Sequence, residues 1–129
     1  MKYLAGFEGL AVPATVETGG LPKDTIVAIT GDAQVDKAAA DGYPIGRLVV
    51  PAKEDDEIGT VETKFKELVE MEADGILAAG TLVKLGALSP TDTKHTAKAW
   101  VEGTDSIKRL YGVVWVGGAD EATIQVLTF

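Results

Sequence analysis

Apolar positions cluster most tightly at the C-terminal end of the sequence. Tyr111-Gly-Val-Val-Trp-Val116 is β-branched or aromatic apart from one glycine, and Gly117-Gly-Ala-Asp-Glu121 is turn chemistry. Thr123–Phe129 then resumes with strand-forming residues and partial alternation. Two such runs round a glycine-bearing turn predict a β-hairpin. The pattern occurs twice. Ile45-Gly-Arg-Leu-Val-Val50 is followed by the acidic turn Lys53-Glu-Asp-Asp-Glu57 and by Gly59-Thr-Val-Glu-Thr63, which matches Ala122-Thr-Ile-Gln-Val126. Upstream, Asp24–Ile29 matches Gly80–Leu85, each after a glycine turn at Gly19-Gly20 or Asp74-Gly75. Residues 19–63 and 75–126 read as two diverged copies of one strand-rich unit, against the plainer reading of two unrelated hairpins.

Strands are expected at Thr25–Thr30, Ile45–Val50, Thr81–Leu85, Tyr111–Val116 and Thr123–Leu127. The expected core is Ile45, Leu48, Val50, Val83, Val113, Trp115 and Ile124. Other stretches are less regular. Gln34–Ala40 favours a helical turn that Asp41-Gly42 stops. Thr60–Glu72 fits a helix or a long strand with a bulge near Glu67-Leu68, and the repeat favours the strand. Ser89–His95 reads as an exposed loop and Thr96–Glu102 as a short helix or a strand, with Trp100 capping the core. The second copy is longer across Leu88–Ile107, and insertions of this kind often carry individual function.

At the N-terminus, Gly6, Gly9, Pro13 and Gly19-Gly20 interrupt Tyr3, Leu4, Phe7, Leu10 and Val12. So many breakers argue against a helix. The stretch is either an extended arm over residues 1–18 that lies on another surface, or the first strand of the barrel. The arm reading leaves residues 19–129 as one small single-domain β-barrel or β-tulip.

Charge and chemistry narrow the function classes. The 129 residues carry a net charge of −8 and no cysteine. That balance argues against nucleic acid and against anionic membrane surfaces, and it removes disulfide and thiol chemistry. No run of about 20 apolar residues spans a membrane, and no signal peptide stands out. His95 is the one histidine and sits among Thr, Asp and Lys, where a solvated loop residue is expected rather than a general base. HExxH, P-loop and dinucleotide-binding patterns are missing. Glu54-Asp-Asp-Glu57 lacks EF-hand spacing and reads as a solvated turn. No catalytic, cofactor or metal residue is assigned, and a non-enzymatic protein is expected.

The layout resembles the small capsid cement, or head decoration, proteins of tailed bacteriophages. The resemblance covers residues 19–129 and rests on Thr25–Ile29 after the Gly-Gly turn, on Asp41-Gly-Tyr-Pro-Ile-Gly46, and on Gly59–Thr63. It continues through Ala73-Asp-Gly-Ile-Leu-Ala-Ala-Gly80-Thr-Leu-Val-Lys84 and Tyr111–Val116, with a closing strand to Val126. The insertion at Leu88–Ile107 departs from the shorter family pattern. The resemblance implies a β-barrel or β-tulip on the outside of an icosahedral shell, often at threefold positions, stapling coat subunits against internal DNA pressure. The implied partner is the major capsid protein, with a homotrimer favoured and the outer capsid surface of the virion as location. The apolar arm, Tyr3, Leu4, Phe7, Leu10 and Val12, is the expected capsid contact. The competing expectation is a small-ligand or glycan-binding β-domain for host attachment, with Trp100, Trp115, Tyr43 and Tyr111 as its candidate aromatics.

Overall fold

The structure, a computed structural model, describes residues 2–6, 10–63, 67–89 and 94–129, with residues 2–6 and 10 described through their backbone alone. The described strands are β1 (Lys2–Gly6), β2 (Leu10–Val16), β3 (Ile26–Gly31), β4 (Gln34–Lys37), β5 (Gly46–Val50), β6 (Glu57–Thr63), β7 (Glu67–Asp74), β8 (Leu82–Leu88), β9 (His95–Ala99), β10 (Gly112–Val116) and β11 (Thr123–Thr128). One 3-10 turn, Ile107–Arg109, is the helical element among them. The protein is mainly β, as its β-branched runs between turn residues predict.

The chain divides into two compact units. One holds Glu8–Ala38 and Tyr43–Phe65; the other holds Met1–Phe7, Ala39–Gly42 and Lys66–Phe129. The first unit is a closed barrel in the order β2-β4-β3-β5-β6. Its core contains Val16, Val27, Val35, Leu48 and Val61. In the second unit the strands run β7-β11-β10-β8-β9, and a β7–β9 pairing closes the ring, with β1 added on β7.

The two barrels have the same wiring. In each, one parallel pair (β2–β4 or β7–β9) closes a ring of antiparallel pairs. Register matches position by position. Ile26 faces Arg47 and Val27 faces Gly46; Leu82 faces Val113 and Val83 faces Gly112. Both β5–β6 and β10–β11 slip register at the same place, between Leu48 and Val50 and between Val114 and Val116. A Cβ at Gly46 would lie 2.1 Å from the Glu62 carbonyl oxygen, and one at Gly112 2.4 Å from that of Leu127. The glycine of the repeated apolar-Gly-apolar signature is therefore needed for the same close approach in both copies. The two repeats read from the sequence are two equivalent barrels.

Several expectations are corrected. Leu48, Val83 and Ile124 are buried as expected, but Val114 takes the inward place assigned to Val113. Trp115 is 60 % exposed because it alternates with the inward Val114, and Val50 is exposed because the bulge after the inward Leu48 breaks the alternation. Ile45 is partly buried against the first core. Thr60–Glu72 is not one strand: β6 belongs to the first barrel and β7 to the second. The bulge expected near Glu67-Leu68 lies in β1, between Tyr3 and Ala5, opposite Leu68 and Val69. Gln34–Lys37 is a strand, and so is His95–Ala99.

The division into an arm at 1–18 and one domain at 19–129 does not match the two units. Leu10–Val16 is paired along its whole length with β6, the barrel-strand alternative. Thr15 and Glu17 N–H groups bond to Ala33 and Val35 carbonyls on the β4 side. By strand alternation Pro13 faces that same side, away from β6, where its missing N–H breaks no ladder bond. In the second barrel the corresponding stretch of β7 is covered by β1.

Candidate interaction surface

Side chains that looked chemical in the sequence turn out to hold the fold together. Asp55 Oδ1 accepts the Gly19 N–H at 2.8 Å, and Asp120 Oδ1 accepts the Gly75 N–H at 2.7 Å. The following residues, Asp56 and Glu121, both have positive φ, and their N–H groups bond to the Val16 and Ala73 carbonyls. The acidic turn is thus a clamp that occurs in both barrels. No group of three or more His, Cys, Asp or Glu side chains arranged for a metal ion occurs among the described residues. His95, expected in a solvated loop, is buried on β9, and its Nδ1–H donates to the Gly86 carbonyl at 2.9 Å.

Two ion clusters differ between the barrels. In the first, Arg47 bonds to Asp24 and to Glu62 Oε2, the latter at 3.0 Å. In the second, Lys84 Nζ lies 2.7 Å from Asp41 Oδ1 and 2.8 Å from Asp105 Oδ1, and Arg109 Nη1 lies 3.2 Å from Asp105. The Val101 N–H also donates to Asp105. The Lys84 hydrogen bond, then that of Val101, holds the Asp105 carboxyl down at about 2, while Asp41 is lowered and Lys84 raised by the same contacts. This cluster ties the longer segment after β9 to β8. Trp100 Nε1–H in that segment donates to the Ser106 carbonyl at 2.9 Å.

The register shows what replaces the Arg47 cluster in the second barrel. The residue matching Arg47 is Val113, the one matching Glu62 is Leu127, and the one matching Asp24 is Gly80. Asp24 and Gly80 share a positive φ, and both donate to the carbonyl of the matched Leu48 or Val114. An outward ion triad in one copy is therefore uncharged in the other. The neighbouring turns follow suit. Gly75–Gly80 and Val114–Ala119 contain no charge, whereas Gly19–Asp24 and Leu48–Lys53 carry Lys23, Asp24, Arg47's triad partner included, and Lys53.

The two uncharged segments lie side by side. Leu77 and Gly118 exchange backbone hydrogen bonds at 2.9 and 3.0 Å, and the Gly80 N–H bonds to the Val114 carbonyl. Leu77 points into the core, which leaves Ile76, Ala78 and Ala79 exposed on one segment and Trp115 and Val116 exposed on the other. Ile76 is 85 % exposed and Val116 48 %. Sequence reasoning missed this strip because Trp115 was assigned to the core; the signal present was the absence of charge in both segments.

The expected capsid contacts are divided. Tyr3 and Leu4 lie in β1 and Leu10 in β2, while Phe7 falls outside the described residues. Val12 packs against the first core. Of the candidate aromatics for a ligand site, Tyr111 is buried and Trp100 is partly buried, while Tyr43 and Trp115 are exposed.

Twin five-stranded barrels within one chain define the fold. A solved structure that shares it is the head fiber gp8.5 N base of bacteriophage phi29, with a TM-score of 0.54, 14 % identity and coverage of 93 % of each chain. No protein-family model and no curated protein matches the sequence.

Proposed function

We propose that this chain is a structural protein of a phage virion that binds the outer surface of the capsid and stabilises it. One observation carries the reading: the fold is shared over nearly the whole chain with a phage head fiber base. The sequence layout, which resembles phage head decoration proteins, supports it independently. The net charge of −8 fits an exterior position, since a protein packed against DNA gains from basic side chains. The proposed partner is the major capsid protein, and the proposed assembly is a homotrimer. Stabilisation would come from many modest contacts on one shell, each copy bridging neighbouring coat subunits.

The test is direct. Purified protein is added to undecorated shells of the cognate coat protein, and the shells are imaged and heated. Ordered density on the outside and a raised temperature of shell disruption are expected. Shells that stay bare at saturating protein concentration refute the proposal.

A further inference from the structure

The two barrels provide an internal control on what the fold itself demands. They share wiring, register, bulge position, glycine approach and aspartate clamp. At matched positions outside the core the first barrel carries Lys23, Asp24, Lys53 and the paired Arg47, so the fold accepts charge there. The second barrel carries none, in a chain with 25 % charged residues. The matched positions hold Ala79, Gly80, Val113 and Ala119, and in the same segments Gly20 and Val49 of the first barrel are replaced by the exposed Ile76 and Trp115. Folding does not explain that substitution, because Trp115 is not part of the core.

We infer that the charge-free strip centred on Trp115 is the surface by which this protein seats on a coat-protein shell, an inference that rests on the capsid reading above. Its chemistry specifies the seat as a neutral apolar hollow on the coat, wide enough for an indole. Tryptophan is the side chain most often found as a binding hot spot, and its rigid ring loses little conformational freedom on docking. Charge and area both favour the shell over a second copy of this chain. Two free chains of net charge −8 repel each other, so the proposed trimer is one that the shell brings together rather than one held by this strip in solution. The strip offers three exposed large side chains, Ile76, Trp115 and Val116, the size of one hot-spot cluster rather than of a whole interface. A stable pair of free proteins uses about 800 Å² on each partner. A shell supplies a fixed seat whose rim adds polar contacts round this apolar centre.

The experiment compares the full-length parent with W115A and with V50A, an exposed valine at the first-barrel position matching Val116. Co-sedimentation with undecorated shells measures affinity, and sedimentation velocity without shells measures self-association. W115A is expected to bind at least about tenfold more weakly, with V50A binding as the parent does. If the parent binds and W115A binds equally well, the seat is elsewhere and the inference falls, while the capsid reading stands. If W115A instead breaks up an oligomer that the parent forms in solution, a second copy occupies the strip and the inference falls. If the parent binds no shell, the capsid reading fails and the inference with it. Should W115A melt below the parent, acrylamide quenching of the parent's tryptophan emission decides: quenching is expected to drop on shell binding, and unchanged quenching overturns the assignment.

Discussion

Asp120 accepts the Gly75 N–H at 2.7 Å across 45 positions of sequence, joining the turn before β11 to the turn after β7. Asp55 does the same for Gly19 in the first barrel. Each clamp is exposed, so its net worth is that of an ordinary hydrogen bond. D120A and D55A are each expected to lower stability by about 1 kcal/mol. Urea denaturation of both variants checks this, and a loss confined to one of them contradicts the equivalence of the two turns.

The inward phase of β10 is set by Val114, 2 % exposed, with Val113 on the outer face opposite Leu127. V114D buries an unpaired carboxylate and is expected to cost several kcal/mol or to prevent folding. V113D is expected to cost far less. Thermal melts of the two variants separate them, and equal losses would contradict the register.

Arg47 lies between Asp24 and Glu62, and its counterpart is a valine facing a leucine. R47V takes an arginine partner from two carboxylates and is expected to cost about 2 kcal/mol or more. R47V/E62L installs the apolar pair of the second barrel and is expected to recover most of that loss. A double-mutant cycle by denaturant unfolding measures the coupling, and additive losses would show that the pair is not a unit.

Asp105 has its carboxyl held at about 2 by Lys84, Val101 and Arg109, below the usual value of 3.8. A depressed carboxyl stabilises the fold above its unfolded pKa and loses that contribution as pH falls through the folded one. Stability is therefore expected to decline between about pH 4 and pH 2. D105N should remove part of that decline and lower the melting temperature at neutral pH. Melts across this range check both, and a D105N profile parallel to the parent's would show that the cluster does not contribute.

Deleting residues 1–13 removes β1 and half of β2. Both barrels lose paired backbone, so the truncated chain is expected to unfold or to melt far below the parent. Circular dichroism on heating measures it, and an unchanged melt would restore the loose-arm reading.

The sequence pattern carried the repeat because each copy must place strands, turns and the close-approach glycine at matched spacing. Gly46 and Gly112 were visible for that reason. Phase was harder to read. Runs such as Leu48-Val-Val50 and Val113-Val-Trp115 are apolar throughout, so hydrophobicity does not say which residue points inward, and a bulge then shifts the phase midway. Strand pairing was hidden too. Glu57–Thr63 and Glu67–Asp74 adjoin in sequence yet belong to different barrels, and β1 pairs with a strand more than sixty positions away. The uncharged strip was legible as composition, but its meaning depended on knowing which segments of the two copies correspond.

Pro13 sits on the outer edge of β2, at the position where β7 receives β1. A bare strand edge templates the growth of fibrils, and the hazard rises with local concentration. A proline there interrupts the row of donors that an incoming strand needs. The first barrel can thus be crowded among its own copies without knitting into them, and a P13A chain would lack that safeguard.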